Sequence, residues 1–242
     1  MITVTAFCRM HSSFWRDLTP TVDVFVRRLN LGHYEREFPE MKFATAPMRR
    51  GLINEIAFSV FCKAVGGGRT SWPPHNLTRT ELEEALSSVK SQPIRRESRN
   101  ETQSEDDISS DELSDIEEQR NRLIRIFSFG RPTDSLLLEP AFPGCGIIDA
   151  CKGDLIISNT LFEVKAGDRL FRSIDIRQLI MYGSLNYVSR RFQISHFGLF
   201  NPRVGVSATI PADELCFEIS GKSSTELFSE IANVISSGEV SR

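Results

Sequence analysis

Apolar side chains recur every three or four residues over much of the first 90 residues, which is the spacing of amphipathic helices. One such run covers about residues 47–65 and ends at three consecutive glycines. A Thr78-x-x-Glu81 capping box predicts a further helix after it. The sequence therefore predicts a helical N-terminal region over residues 1–90.

The pattern changes twice in the rest of the chain. Residues 91–112 are rich in Ser, Glu, Asp and Arg and have few large apolar side chains, which predicts a disordered acidic linker. Later, short apolar runs between turn residues predict strands, one of them over 146–149, and helical spacing returns at about 173–190 and 224–235. This order predicts an α/β fold over residues 113–242, with a mixed β-sheet flanked by helices.

The segment from Asp154 to Lys165 has the pattern of a β-hairpin with a polar face. If two strands pair about a two-residue Ser158-Asn159 turn, Asp154 lies directly opposite Glu163. Because side chains alternate between the two faces of a strand, Lys165 shares the face of Glu163. The hairpin therefore predicts two carboxylates and one ammonium group at a single place.

This combination of groups predicts a particular chemistry. Two opposed carboxylates repel each other unless a divalent cation binds between them, and Mg²⁺ is the expected ion, with Mn²⁺ as a substitute. The neighbouring lysine can orient an attacking water or neutralise charge that develops on a phosphate. The segment therefore predicts a metal-dependent phosphodiesterase, and in particular a nuclease.

Charge supports a nucleic acid as the substrate. The formal net charge is −3, but residues 101–118 hold nine acids and no base, so the rest of the chain carries +6. A basic body suits a protein that neutralises phosphates. We expect DNA to be the partner, because no aromatic motif for stacking single-stranded RNA stands out.

Several other classes of site and location are not expected. The five cysteines and four histidines are scattered, which argues against a zinc or iron–sulfur site and predicts reduced thiols. The chain has no P-loop sequence for nucleotide hydrolysis. It also has no apolar run long enough to span a membrane and no secretion signal, so we expect a cytoplasmic location without membrane contact.

The stretch over about 110–212 resembles the PD-(D/E)xK nuclease superfamily, which includes many restriction endonucleases, RecB-type nucleases and Holliday-junction resolvases. Asp154 looks like the family's acid on its second strand, and Glu163-Val164-Lys165 looks like its E-x-K on the third. Gln178-x-x-x-Tyr182 is similar to the Q-x-x-x-Y signature of the RecB-type branch. The resemblance implies a restriction endonuclease-like fold, with Gln178 and Tyr182 on one helix face near the lysine or the DNA backbone.

Two acid positions stay open at this point. The residues that end in Asp149 match the G-x-x-D pattern of the RecB-type branch, so Asp149 is the alternative to Asp154, and a longer hairpin loop would bring it into register. The family's first core helix often supplies another acid. We favour Glu55 as this metal ligand because it lies on an otherwise apolar helix, while Glu117 and Glu118 are the other candidates.

The resemblance predicts a Mg²⁺-dependent deoxyribonuclease in which Asp154 and Glu163 bind the metal and Lys165 positions the attacking water. Gln178 and Tyr182 would hold the lysine or the substrate. Three arginines are expected to bind DNA phosphates: Arg169, Arg172 and Arg177.

The resemblance also implies a biological setting. Many small members of the superfamily act as endonucleases in antiviral or plasmid defence, or in DNA processing, beside a partner ATPase or helicase. Because duplex cleavage often uses two sites, a homodimer or larger complex is expected. The alternative function is a non-catalytic DNA-binding or assembly subunit that retains the nuclease fold.

Overall fold

A computed structural model describes five stretches of the chain: residues 1–42, 45–68, 74–90, 108–130 and 136–238. The chain divides into two compact units. The sheet unit consists of Met1–Pro39 and Leu136–Arg242, and the helical unit of Glu40–Ser135. Among the described residues, no helix combines the length and apolar character needed to cross a membrane.

The elements of the described residues follow in chain order. The helices are α1 (Val4–Met10), α2 (Ser12–Leu18), α3 (Val22–Asn30), α4 (Arg50–Gly66), α5 (Arg79–Lys90), α6 (Ser110–Phe127), α7 (Ser173–Ser189), α8 (Ala212–Ser220) and α9 (Ser224–Ser237). The strands are β1 (Glu35–Arg36), β2 (Leu136–Leu138), β3 (Ala141–Phe142), β4 (Cys151–Lys152), β5 (Leu155–Ile157), β6 (Thr160–Val164), β7 (His196–Asn201) and β8 (Val206–Pro211).

The sheet unit is built on a mixed six-stranded sheet with the strand order β1-β8-β7-β6-β5-β2. Strands β6 and β7 pair in parallel, and the other neighbours in this sheet pair antiparallel. Strands β3 and β4 form a separate two-stranded sheet. The predicted α/β class, with a mixed sheet flanked by helices, is therefore confirmed.

The β5–β6 hairpin has the predicted register. Its observed pairs are Leu155 with Phe162, Ile156 with Leu161, and Ile157 with Thr160. Ser158 and Asn159 both have positive φ, 48° and 64°, as a two-residue type I′ turn requires. Because the turn holds only two residues, the ladder leads toward Asp154 and Glu163 and does not bring Asp149 into register.

The strand predicted over 146–149 is wrong, because these residues form a turn. Cys145 and Ile148 exchange backbone hydrogen bonds of 3.1 and 2.9 Å. Gly146 has a φ of 55°, and a Cβ there would collide with the carbonyl group of Ile235. A side chain at this position is excluded by both the backbone conformation and the lack of space, so the glycine marks a turn and not a strand.

The first residues of the chain are part of the sheet unit. The Ile2 backbone N–H donates to the Ile147 carbonyl at 2.8 Å, and the Asp149 N–H donates to the Ile2 carbonyl at 3.0 Å. Buried side chains of α1 and α2, such as Phe7 and Trp15, belong to the same apolar cluster as those of β7 and α7–α9. The predicted helical region 1–90 is thus divided between the two units.

The helical unit packs α4 against α5 and α6. Its apolar cluster includes Ile53, Ile56 and Val60 of α4 together with Ile116 of α6. The helix predicted at about 47–65 is therefore observed as α4. The sequence assigned α6 to the nuclease core that begins at residue 113, whereas its packing places α6 in this unit.

Helix α6 begins inside the predicted acidic linker. Ser109 and Glu112 form a reciprocal capping box, with hydrogen bonds of 3.0 and 3.2 Å, and Glu112 also pairs with Arg49. The sequence predicts a linker that reaches residue 112, so its last residues are ordered instead. Residues 91–107 lie outside the described part of the chain.

The parallel pairing of β6 and β7 depends on Gly198, which pairs with Phe162. A Cβ at position 198 would collide with the Phe162 ring. We therefore expect Gly198→Ala to lower the free energy of unfolding by about 1–3 kcal/mol. Urea unfolding measures this loss.

Gly167→Ala is the matched control, because the nearest atom to a Cβ there is Arg169 Cγ at an ordinary 3.6 Å. It should change the unfolding free energy by less than about 0.5 kcal/mol. Equal effects of the two substitutions would contradict the close packing of Phe162 on Gly198.

Candidate active site

Lys165 is the centre of a group of polar side chains at the end of β6. Its ammonium group donates to Glu163 Oε1 at 2.5 Å and to Gln178 Oε1 at 2.8 Å, and it lies 3.9 Å from Asp175 Oδ1. Its backbone N–H donates to the Phe200 carbonyl at 2.8 Å, which continues the pairing of β6 with β7. The sheet therefore fixes the backbone of Lys165, and three acceptors surround the side chain.

Asp154 is fixed from two directions at the start of β5. Its Oδ2 accepts the Val164 backbone N–H at 2.6 Å, just beyond the last observed pair of the β5–β6 ladder. Its backbone carbonyl accepts the Glu139 N–H at 2.8 Å. The predicted position opposite Glu163 is thus occupied by a carboxylate that is anchored to the facing strand.

Glu163 is only 5% exposed, and its Oε2 has no hydrogen-bond partner within the described part of the chain. Burial, followed by the negative charge of Asp154, raises the pKa of Glu163 to about 7, although Lys165 acts in the opposite direction. A buried carboxylate oxygen without a partner, beside a second carboxylate, offers the hard oxygen donors that Mg²⁺ or Mn²⁺ prefers.

The donor set consists of two carboxylates. Among the described residues, no group of three or more His, Cys, Asp or Glu side chains is placed to hold a metal ion. Mg²⁺ typically binds through one or two carboxylates and keeps several waters, so Asp154 and Glu163 fit it without a third acid.

Helix α7 brings the two residues of the Q-x-x-x-Y pattern to this region. The Gln178 amide makes two hydrogen bonds: its oxygen accepts from Lys165, and its Nε2 donates to Thr5 Oγ1 at 3.2 Å. Tyr182 is buried, and its ring stacks on Phe142 with the centroids 5.3 Å apart. Burial, then the charges of Glu163 and Asp154, raises the pKa of Tyr182 well above its ordinary value. Gln178 thus contacts the lysine directly, whereas the ring of Tyr182 packs on Phe142.

Two residues of the site were not predicted as site residues. Asp175 lies in the first turn of α7, where it accepts the Arg172 backbone N–H at 2.8 Å, and it also faces Lys165. Thr5 belongs to α1 and reaches Gln178 from the other end of the sequence. No local pattern marks Thr5, because the contact depends on the tertiary fold.

Two cysteines lie close enough to influence the site. Burial raises the pKa of the Cys151 thiol to about 12 and that of Cys8 further, and the charge of Glu163 adds to both effects. All five cysteines, each within the described residues, are free thiols as predicted. A thiol with a raised pKa stays protonated at neutral pH, and the protonated form is a poor nucleophile.

The three arginines predicted to bind DNA have different surroundings. Arg169 braces Asp175 through two N–H groups at 3.0 and 3.4 Å. Arg177 is partly buried, with its guanidinium 5.7 Å from the centroid of the Trp15 ring, and burial lowers its pKa. Arg172 is exposed immediately before α7. Their binding of DNA stays a prediction.

The remaining candidate acids lie outside the β5–β6 hairpin. Asp149 follows the 145–148 turn and is bonded through its backbone to Ile2. Glu55 lies on α4, in the helical unit. In the same unit Glu117 accepts the Leu77 N–H at 2.7 Å, and Glu118 pairs with an arginine one helical turn away. Their roles as metal ligands stay predictions.

Comparison with known protein families found no matching family model, and no curated protein matched the chain. The functional argument therefore rests on the side chains and their geometry.

The raised pKa of Glu163 can be measured directly by carboxyl ¹³C NMR during a pH titration. We expect a midpoint near pH 7 in the metal-free protein. Asp154→Asn should lower this midpoint because it removes the neighbouring negative charge. Asp149→Asn is the control, and an equal decrease in that variant would contradict the placement of Asp154 beside Glu163.

A divalent cation at Glu163 would compete with the same proton. Below the pKa of Glu163 the cation must displace the proton, and above it the carboxylate is already charged, so affinity for Mn²⁺ should increase as pH rises through about 7. Isothermal titration calorimetry at pH 6 and pH 8 measures this change. An affinity that is independent of pH in this range would argue against Glu163 as a ligand.

Proposed function

We propose that this chain is a Mg²⁺-dependent deoxyribonuclease of the PD-(D/E)xK type, with a restriction endonuclease-like core in the sheet unit. The observation that carries the proposal is the contact of Lys165 with Glu163 and Gln178 beside Asp154. This contact unites the E-x-K residues with the glutamine of the Q-x-x-x-Y pattern. The partnerless Glu163 oxygen supports a cation at the same place.

Asp154 and Glu163 would hold Mg²⁺, and Mn²⁺ can replace it. An ion held there would supply Lewis-acid polarisation of the phosphate and would lower the pKa of a water molecule. Asp154 has the better-fixed carboxylate, because the Val164 N–H orients it. Glu163 provides the more basic oxygen, because burial disfavours its charged form until a cation compensates for it.

Lys165 acts as a cation in this proposal. Burial lowers its pKa, but the charges of Glu163, Asp154 and Asp175 outweigh burial and raise the pKa above its ordinary value. An ammonium group that stays protonated can donate to an attacking water or to a phosphate oxygen, and it can stabilise charge that develops there.

Gln178 and Asp175 position the lysine. The Gln178 oxygen accepts from the ammonium group, while its amide nitrogen is held by Thr5, so the amide cannot rotate freely. Asp175 is held by Arg169 and by the Arg172 backbone. These contacts limit the lysine to a small range of orientations, which is the preorganisation that electrostatic catalysis needs.

DNA is the proposed substrate because the chain outside its acidic segment is basic. A role in antiviral defence or DNA processing, with a partner ATPase or helicase and in a homodimer or larger complex, forms part of the same proposal. The other candidate, a non-catalytic DNA-binding or assembly subunit, predicts DNA binding without metal-stimulated cleavage.

The first test compares Lys165→Met with wild type on linear, circular and single-stranded DNA in Mg²⁺. We expect cleavage to fall by at least about a hundredfold, because the cation that stabilises the phosphate charge is lost. Lys222→Met is the matched control, since Lys222 pairs with Glu230 on the surface of the sheet unit. Undiminished cleavage by Lys165→Met would refute the assignment.

A second test decides between the two candidate acids. Asp154→Asn should abolish most Mg²⁺-dependent cleavage because the anchored carboxylate is the predicted ligand. Asp149→Asn should retain cleavage within about threefold, since surface substitutions outside a site usually change little. The reverse result would transfer the role to Asp149.

A further inference from the structure

A groove of about 400 Å³ lies beside strand β2, at the edge of the six-stranded sheet. We call it the edge groove, and its lining residues are Leu137, Glu139, Pro140, Ala141, Arg191 and Phe192. None of these residues takes part in the proposed catalytic group. All of them belong to the sheet unit.

The edge groove is directly next to the strand that carries Asp154. The Glu139 N–H donates to the Asp154 carbonyl at 2.8 Å, and the Gly153 N–H donates to the Pro140 carbonyl at 3.0 Å. Leu138 pairs with Leu155, so the next position, Glu139, falls opposite Asp154 in the same register. A molecule in the edge groove therefore lies one strand away from Asp154, the proposed metal ligand.

Arg191 and Phe192 form one wall of the edge groove, and Asn186 fixes the backbone of this wall at Phe192. The Asn186 side chain donates to the Phe192 carbonyl at 2.9 Å and accepts its N–H at 3.0 Å. The Phe192 ring meets Phe142 edge-on at 5.3 Å, and Phe142 stacks on Tyr182. Asn186 thus fixes the Phe192 backbone through hydrogen bonds that do not involve the Phe192 side chain.

The groove presents three kinds of binding group. Arg191 is exposed, and one of its N–H groups donates to the Ala141 carbonyl at 3.3 Å. A guanidinium has five N–H donors, so it can also bind a ligand. Glu139 pairs with Lys152 at 3.4 Å, and its side chain is 42% exposed, so its carboxylate can accept further hydrogen bonds. Phe192 adds an aromatic ring.

A nucleotide matches these three groups. A guanidinium binds phosphate, and an aromatic ring stacks on a base. A carboxylate accepts a hydrogen bond from the exocyclic amine of cytosine or adenine.

We propose that the edge groove binds one unpaired nucleotide of the DNA strand that is cut, next to the scissile phosphate. This inference rests on the proposed nuclease function and specifies its substrate. A base inside a duplex is stacked on both faces, so only a single-stranded or extruded base can meet Phe192. The substrate class is therefore DNA with an unpaired segment, and Glu139 favours cytosine over thymine because thymine has a carbonyl where cytosine has an amine.

Binding in chelator tests the groove without requiring cleavage. Fluorescence anisotropy is measured with labelled oligo-dC and oligo-dT of equal length and with a blunt duplex. Wild type should bind oligo-dC roughly fivefold more tightly than oligo-dT, and the duplex more weakly than either. Equal binding of the two oligonucleotides would overturn the role of Glu139, and tighter binding of the duplex would overturn the proposal for an unpaired base.

Three variants and one control locate the binding. Phe192→Leu keeps the apolar volume but loses the ring, and it should weaken binding to both oligonucleotides roughly tenfold. Arg191→Ala should weaken both and reduce the salt dependence by about one phosphate contact. Glu139→Gln should remove the preference for cytosine, because an amide can also donate to thymine. Arg16→Ala, which removes an exposed arginine beside Asp17, should change nothing.

Wild-type affinity in both Arg191→Ala and Phe192→Leu would overturn the edge groove as a nucleotide site. Thermal unfolding of each variant checks that the fold is intact, and Arg191→Ala serves on its own if Phe192→Leu is unstable. The nuclease proposal fails on a different result, namely the absence of metal-dependent cleavage. Binding with the expected base preference but without cleavage would retain the groove and reject the enzyme.

Discussion

The proposed site depends on one costly interaction, the burial of the Glu163 carboxylate close to Asp154. Burial disfavours the charged form of Glu163, and the negative charge of Asp154 adds to this cost, so the pKa of Glu163 is raised to about 7. Lys165 is the cation that offsets this cost in the absence of a metal. The β5–β6 hairpin supplies both acids, the parallel pairing of β6 with β7 fixes the lysine backbone, and α7 supplies Gln178 and Asp175 around its ammonium group. The local elements of the sheet unit thus converge on maintaining one ion pair.

The hairpin could be predicted because its determinants are local. The alternation of side chains and the two-residue turn place Asp154 against Glu163, and the observed register agrees. The place of Gln178 followed from its spacing to Tyr182 and from the resemblance, and its contact with Lys165 is present. Thr5 could not be predicted in this way, because its partner is 173 residues away in sequence. The turn at Gly146 was also missed, because its reason is the crowded approach of Ile235, which only the folded chain reveals.

The division of the chain into two units also could not be predicted from local sequence patterns. Helical spacing predicts α4 and a capping box predicts α5, but neither pattern contains information on how α4, α5 and α6 pack together. Apolar contacts unite these three helices into one unit, while the pairing of Ile2 with the 147–149 segment unites α1 with the sheet. A boundary drawn at a change of composition therefore separated α6 from α4. Composition records where the chain is acidic or apolar, whereas units are defined by which apolar faces meet.

The contact of Thr5 with Gln178 also has a consequence for the order in which the protein is completed. The entropic cost of closing a loop grows with the number of residues in it, and contacts between residues far apart in sequence slow folding. A chain emerging from the ribosome presents α1 long before α7 exists, so the proposed site stays incomplete until nearly the whole sheet unit has been synthesised. An unfinished or truncated chain therefore lacks the Thr5–Gln178 contact that supports Lys165, and the proposed activity would be low in partial products.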